Sequence, residues 1–350
     1  MTKNVRAAHS QSGFSLVEIT VVLAIVSGLL LICYSMIEQT VRATMFNESH
    51  NDLAIMTQRA VNLMQMEIVQ SRAVYQEDAI GQAYRTALQI PGTVPRWNNT
   101  LLPMLQIDPT MAPDTGTGTD RFTGNSLLVV RQLEPLSVLY DHDNNVNTPM
   151  VEFLADRYRF EYFYLSPNAS RSFAGSGFTL DLLQSTSVEF ADYFQLSSLT
   201  TAQIQKIVPA IIAAGVARAW NPGQPIGTAF YDLSGATDGA FNAAIRNPTI
   251  SIASTISLFP GLRGGRIGGR MDYSLAFVPT SPARPYPLRM PITVYAKPDA
   301  SLPAFPAGFE VKIAGPAGSR KVMTRVLLMA RYGVSTYEAQ QGFVTTSASF

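Results

Sequence analysis

Glu18 is the only charged side chain between residues 14 and 37, a run of 24 mostly apolar residues. A carboxylate in a hydrocarbon environment costs several kcal/mol unless a cation pairs with it. The chemistry open to this position is therefore ion pairing in a low-dielectric medium. Such pairing requires a cation at a similar depth along the helix.

The apolar run around Glu18 is long enough to cross a membrane. Twenty-four helical residues span about 36 Å, against a hydrocarbon core of about 30 Å. The run exceeds the apolar region of a secretory signal, and no small-residue cleavage site follows it. A buried helix of a soluble protein is rarely so long and so free of charge. Lys3 and Arg6 precede the run without any acid, which favours a cytoplasmic N-terminus and a single membrane crossing.

The residues around this carboxylate follow a recognisable order. Gly13 precedes Phe14, and Glu18 closes the stretch "GFSLVE" ahead of an unbroken apolar helix. This resembles the class III signal of type IV pilins and pseudopilins. The resemblance implies that a prepilin peptidase cleaves between Gly13 and Phe14 on the cytoplasmic side and methylates the new amino group of Phe14. The apolar segment then stays in the mature protein, and the leader 1–13 is lost.

This cleavage would supply a cation for Glu18. The new amino group of Phe14 lies close to Glu18 in depth, so in a staggered stack of helices the amine of one subunit meets Glu18 of a neighbour. Pairing removes the penalty that each charge would suffer alone. We therefore expect Glu18 to set the register of assembly. The alternative is that Glu18 lies at the membrane interface and extends its carboxylate to water.

Proline and glycine divide the chain into a helical and a β-rich part. All 22 prolines lie at or after Pro91, and only three of the 24 glycines fall in the first 90 residues. Because helix interiors exclude Pro and disfavour Gly, we expect one helix from 14 to about 80, membrane-spanning over 14–37 and amphipathic over 38–80. The apolar stripe of its second half consists of Leu53, Met56, Ala60, Leu63, Met64 and Ile68.

The remainder, 81–350, is expected to form a β-rich domain outside the membrane, so that the fold class is α+β with the helix packed on an antiparallel sheet. Residues 156–165 and 320–334 alternate as strands do. Further strand candidates are "NSLLVVRQL", "SVEFADYFQL", "TISIASTISLF", "DYSLAFV", "MPITVYA" and "FEVKIA". An inserted helix, interrupted at Pro209, is expected over 200–220. The aromatic stripe is expected to be core beneath the long helix, and consists of Tyr158, Phe160, Tyr162 and Tyr164.

A looser resemblance narrows the family. Residues 53–75 resemble the segment after the anchor in J-type minor pseudopilins and W-type minor pilins. Major pilins often close a C-terminal loop with a disulfide, which a chain whose single cysteine is Cys33 cannot form within itself. The 270 residues of 81–350 are also many for a repeating fibre subunit. Both departures favour a low-copy minor subunit.

The sequence shows no pattern of residues typical of a catalytic or cofactor-binding site. The three histidines are scattered, with His9 in the leader, His50 on the long helix and His142 in a polar loop. The sequence places no nucleophile beside a histidine and an acid, and no zinc-ligand spacing occurs. We therefore predict no enzymatic activity and no cofactor.

Two loops could bind ions. Arg263 to Arg270, in "PGLRGGRIGGRM", could contact phosphate or DNA, but a flexible turn is the simpler interpretation because no βα pattern or Walker lysine accompanies it. With a net charge of +1, no specific nucleic-acid partner is predicted. The Asp141–Glu152 loop spaces oxygens as an EF-hand does, but Val146 stands where the turn needs Gly. A polar hairpin loop is the simpler alternative to calcium, and no metal site is predicted.

The resemblance implies a structural role. We expect a minor pilin or pseudopilin of the bacterial inner membrane that primes or caps a type IV pilus. The implied partners are prepilin peptidase, other pilin or pseudopilin subunits through the N-terminal helix, an inner-membrane assembly platform and membrane lipid. One alternative is a minor pseudopilin of a type II secretion system. Another, from a different class, is a single-pass anchored binding protein of the extracytoplasmic space.

Overall fold

The structure is a computed structural model of the full chain, and it divides into two compact units, Met1–Asp52 and Leu53–Phe350. It describes residues 15–93, 100–106, 123–144, 147–168, 179–258, 271–275, 309–316, 320–326, 328–332, 335–338 and 342–348.

The N-terminal helix, α1, runs from Leu16 to Val69 over 54 residues. Its N-terminal part is apolar on all sides, and its large apolar side chains are exposed. From Thr57 onward one face is buried, with Ala60, Met64 and Ile68 at most 2% exposed. The helix therefore changes from a uniformly apolar surface to an amphipathic one along its length, as its residue pattern requires.

The other elements follow in chain order. The further helices are α2 (Ala79–Ala87), α3 (Tyr193–Ser197), α4 (Thr201–Ala213) and α5 (Ile226–Ala229). The strands up to the third helix are β1 (Ser71–Tyr75), β2 (Leu88–Gln89), β3 (Leu105–Gln106), β4 (Ser126–Tyr140), β5 (Val151–Asn168) and β6 (Thr179–Asp192). The later strands are β7 (Arg218–Trp220), β8 (Phe230–Asp232), β9 (Ile250–Ser257), β10 (Met271–Leu275), β11 (Phe309–Ala314), β12 (Arg320–Val326), β13 (Leu328–Tyr332), β14 (Ser335–Glu338) and β15 (Gly342–Ala348).

The described strands form one large and two smaller sheets. The large sheet has the order β1-β4-β5-β6-β7-β8, with β9 also paired to β6 and β2 paired to β9. The smaller sheets have the orders β15-β12-β11-β3 and β10-β13-β14. Most pairings are antiparallel, but β6–β7, β2–β9 and β11–β3 are parallel. The class is α+β, and the sheet is antiparallel-rich rather than purely antiparallel.

Both faces of the central strands are buried over residues 126–130 of β4 and 160–166 of β5. On one face, Phe163 and Leu165 join Val61, Met64 and Ile68 of α1 in a core that β11 and β12 also line. On the other face lies an aromatic core, whose members include Tyr84, Tyr158, Phe160, Tyr162, Tyr164, Phe190, Trp220 and Phe230. Because side chains alternate along a strand, odd-numbered residues of β5 meet α1 and even-numbered residues meet the aromatic core.

The prediction that the aromatic stripe of β5 lies beneath the long helix is therefore wrong. These side chains pack against α2 and the β7–β8 hairpin, where Phe160 contacts Trp220 edge-on with ring centroids 5.4 Å apart. Strict alternation identified the four residues that share a face. It did not indicate which of the two faces the helix covers.

The helix expected up to residue 80 ends at Val69. Ser71 donates its hydroxyl to the carbonyl of Ile68 at 2.6 Å, and the chain turns into β1, which pairs with β4. The segment "SRAVY" lacks Pro and Gly, so nothing in it forbids a helix. The extended conformation is favoured instead by the pairing with β4, a distant strand whose influence cannot be predicted from the local sequence.

A third core lies farther along the odd-numbered face of β5, where Phe153 and Ala155 meet α4. Thr200 and Gln203 cap α4 reciprocally, and the helix continues through Pro209 without the interruption that we expected. The end of the predicted insertion, Arg218–Trp220, is strand β7 rather than helix. Its pairing with β6 and β8 recruits Trp220 into the aromatic core.

Most strand candidates correspond to strands. Segments 156–165, 320–334 and "FEVKIA" fall in β5, β12 with β13, and β11, respectively. The segment "SVEFADYFQL" ends β6 and continues into α3, and "DYSLAFV" begins in β10. The candidate "MPITVYA" and the Arg263–Arg270 loop lie outside the described residues.

The packing of α1 predicts that truncating two nearby methionines has very different effects on the free energy of unfolding. Met64 is fully buried in the helix–sheet core, whereas Met66 is 58% exposed. We expect Met64→Ala to lower the free energy of unfolding by about 2–5 kcal/mol, through lost burial and the cavity left behind. Met66→Ala is the control, with an expected change within about 0.5 kcal/mol.

The measurement is urea denaturation of the full-length protein in detergent micelles, followed by tryptophan fluorescence, because Trp220 is fully buried. Equal losses of stability in the two variants would contradict the packing of α1 on this sheet.

Candidate functional site

Glu18 lies in the first turn of α1 and is hydrogen-bonded to its own helix. The backbone N–H of Ser15 donates to the Glu18 carboxylate at 2.9 Å, and the N–H of Val17 donates to the Ser15 hydroxyl at 3.2 Å. This is a variant of the capping box, in which the Ser15 hydroxyl accepts the N–H of Val17 rather than that of Glu18, and side chains at both ends of the first turn satisfy free backbone donors. A negative charge here also interacts favourably with the helix dipole.

The sequence analysis assigned Glu18 a role between subunits and missed this role within one subunit. The signal was present, because "SLVE" has the Ser-x-x-Glu spacing of a capping box. Gly13 and Phe14, the two residues of the expected cleavage site, lie outside the described residues.

The helix that carries Glu18 is long and apolar enough to cross a membrane. Leu16–Thr44 spans 29 residues, and its most apolar 18-residue window has a mean hydropathy of 2.7 and is fully exposed. Its hydroxyl groups bond inward: Thr20 donates to the carbonyl of Leu16, Ser35 to that of Ile32 and Thr40 to that of Met36. These bonds satisfy polar groups that a hydrocarbon environment could not.

A second polar site lies where the last turn of α1 meets the sheet. Arg131 of β4 contacts the carboxylate of Glu67 at 2.6 Å, and Arg159 of β5 contacts that of Glu161 at 2.6 Å. Gln184 of β6 donates to the other oxygen of Glu161 at 2.8 Å. We call these five residues the carboxylate cluster. The side chains of Glu67 and Glu161 are 8% and 0% exposed.

Burial, followed by the nearby charge of Glu161, raises the pKa of Glu67 to about 7, although the charges of Arg131 and Arg159 act in the opposite direction. The sequence analysis did not single out this cluster, because its members are far apart in the chain and join only through the register of β4, β5 and β6. One local signal existed: Glu67 falls beside Met64 and Ile68 on the buried face of α1.

The calcium hypothesis rests on the loop between β4 and β5. Here Asp141 accepts the backbone N–H groups of Asp143 and Asn144, and the ammonium of Lys206 donates to the Asp141 carbonyl. Ligand atoms of Asp141, His142 and Asp143 lie within 4.8 Å of one another. The Lys206 ammonium therefore adds a positive charge beside this loop, which disfavours a cation there.

The twelfth position of this loop belongs to a strand. Glu152 lies on β5 opposite Leu139, and it accepts the hydroxyl of Ser137 at 2.5 Å. In the described part of the loop, the acidic cluster does not include Glu152. Asn145 and Val146 lie outside the described residues. The described geometry thus fits a polar hairpin loop.

The remaining candidates for chemistry are dispersed. His142 is exposed beside Asp143, and His9 lies outside the described residues, as does the side chain of His50. Cys33 is a free, exposed cysteine on the apolar part of α1.

Comparison of the chain with protein-family models, with curated proteins and with solved structures gave no match.

The capping box predicts a local effect of changing Glu18 in the unprocessed chain. Glu18→Ala removes the acceptor of the Ser15 N–H, so we expect the first turn of α1 to lose about 1 kcal/mol of local stability. The measurement is amide hydrogen exchange in micelles, where residues 15–19 should exchange about five- to tenfold faster.

Glu38→Ala is the matched control, because Glu38 is an exposed helical glutamate that pairs with Arg42 at 2.5 Å. It should leave exchange in the first turn unchanged. Unaltered exchange at Ser15 and Val17 in the Glu18 variant would show that Glu18 does not cap the helix.

Proposed function

We propose that the chain is a structural minor subunit of a type IV pilus or related pseudopilus, anchored by α1 in the bacterial inner membrane. The observation that carries the proposal is α1 itself. A single helix is fully exposed and apolar over its first half, bears one carboxylate in its first turn, and buries its other end in a β-rich domain. This construction suits a subunit whose helix leaves the membrane to join a helical stack.

The order of residues before this helix supports the same assignment. In "GFSLVE", cleavage after Gly13 by a prepilin peptidase would create an amino group on Phe14, the residue directly before the cap Ser15. Methylation of that amine leaves it cationic at neutral pH. The N-terminus would then lie on the cytoplasmic side, with the β-rich domain outside.

Glu18 can serve both its own helix and a neighbouring subunit. The Ser15 N–H uses one carboxylate oxygen, and an ionised carboxylate can accept about four hydrogen bonds. Capacity therefore remains for the amine of an adjacent Phe14. In a low-dielectric stack, that ion pair would favour the one stagger in which amine and carboxylate meet. The partners are accordingly other pilin subunits, the peptidase, an assembly platform and lipid.

The size of the domain supports a minor rather than a repeating subunit. The large sheet, two smaller sheets and inserted helix α4 form a bulky unit beyond Asp52. A subunit present in few copies, at the tip or in the priming complex, need not repeat this bulk along a fibre.

Processing provides the first test. N-terminal mass spectrometry of the protein purified from membranes should show a chain that begins at methylated Phe14 and lacks residues 1–13. Gly13→Val adds a bulky side chain to the leader residue next to the cleaved bond, and it should leave the leader attached. A wild-type chain that retains Met1 would contradict the proposal and favour an anchored binding protein.

Assembly provides the second test. We expect Glu18→Ala to be cleaved normally but to be reduced at least tenfold in sheared fibres, because the neighbouring amine loses its counter-charge. Immunoblots of membrane and sheared fractions measure both steps. Glu38→Ala, the exposed glutamate paired with Arg42, is the control and should be incorporated normally. Normal incorporation of the Glu18 variant would exclude the pairing role.

A further inference from the structure

The two acids of the carboxylate cluster lie on opposite sides of the helix–sheet contact. Glu67 belongs to the last turn of α1, and Glu161 lies at the centre of β5. Both are withdrawn from water, so each ionised carboxylate carries a desolvation penalty. Neither takes part in the function proposed above for the N-terminal segment.

The contacts tie the two carboxylates to one another through shared arginines. Besides its 2.6 Å contact with Glu67, Arg131 reaches within 4.0 Å of Glu161. Arg159 holds Glu161 and reaches within 3.9 Å of Glu67. Each guanidinium therefore lies close to both acids, and a change of charge on one acid is felt by the other.

Within the described residues, the charges that act on the Glu67 carboxyl are those of Glu161, Arg131 and Arg159. Strand β6 contributes the neutral Gln184, while β11 and β12 face this core with the apolar Phe309, Val311, Ile313, Val322 and Val326. The buried Glu310, Lys312 and Arg325 of these two strands occupy alternating positions, away from that face. The next ion pair on the sheet joins Arg157 to Glu189 at 2.6 Å, and Arg157 also donates to the carbonyl of Glu134. On β1, the charge of Arg72 acts on Asp156 instead.

We propose that Glu67, beside Glu161 in the carboxylate cluster, is a buried proton-binding site that takes up one proton in mildly acidic medium and thereby tightens the attachment of α1 to the sheet. Burial and the neighbouring charge of Glu161 both disfavour the ionised form of Glu67, even beside two arginines. A proton on Glu67 removes the repulsion from Glu161, which keeps its contacts with Arg159 and Gln184.

The sign of the effect follows from linkage. Folding raises the pKa of Glu67 from 4.5 to about 7, because burial and the charge of Glu161 disfavour its ionised form. Between these values the folded state holds a proton that the unfolded state has released. The stabilisation is thus fully present below about pH 4.5 and is lost as the pH rises through about 7.

The test compares unfolding of the full-length wild type with that of Glu67→Gln in detergent micelles. Glutamine keeps the size of the side chain but cannot titrate. Between pH 5 and pH 8 we expect the unfolding constant of the wild type to rise about 10- to 100-fold more than that of the variant. Glu134→Gln, an exposed glutamate on β4, is the control and should retain the wild-type profile.

A second variant distinguishes repulsion by the charge of Glu161 from simple burial of Glu67. In Glu161→Gln the repulsion disappears while both arginines remain, so the pKa of Glu67 should fall by at least one unit. Carbon-13 NMR of labelled glutamate carboxyl groups measures this value directly and requires no unfolding. An unchanged Glu67 titration in this variant would overturn the proposal. Equal pH profiles for wild type and Glu67→Gln would do the same.

Discussion

The rest of the structure depends on one contact, that of the C-terminal part of α1 with the odd-numbered face of β5. The same helix is almost entirely apolar before Glu38 and apolar on one side after Thr57, as its two halves require for different surroundings. In the second half, Val61, Met64 and Ile68 fill a core that the sheet alone would leave open. Burial of these side chains holds the C-terminal part of α1 on the sheet.

This contact dictates the arrangement of the sheet. With α1 on one face, the apolar and aromatic residues on the other face of β4 and β5 need cover, and α2 with the β7–β8 hairpin provides it. A one-residue slip of β5 would exchange the two faces, placing Tyr162 against α1 and Phe163 in the aromatic core. Since both faces are buried, such a slip is strongly disfavoured. The irregular pairing of β4 with β5 lies between Leu133 and Leu136, away from these cores.

Local patterns predicted much of this fold, and the exceptions share a cause. Length and hydropathy identified the membrane-type helix, and alternation identified β5 and β12. The end of α1, the face covered by the helix and the strand at Arg218–Trp220 all depend on pairing between distant segments. The two sites differ in the same way. The Ser15–Glu18 cap can be predicted from four consecutive residues, whereas the carboxylate cluster forms only when three distant strands pair in register.

The two glutamates at the ends of α1 show why similar side chains require different surroundings. The helix dipole favours the carboxylate of Glu18, which lies in the first turn and accepts a backbone N–H. It opposes that of Glu67, in a last turn that carries no basic residue. The sheet must therefore supply what the helix lacks, and Arg131 and Arg159 bring two positive charges from β4 and β5. Because Glu161 shares these two arginines, their positive charge does not fully compensate for the burial of Glu67. The fold therefore disfavours the ionised form of Glu67.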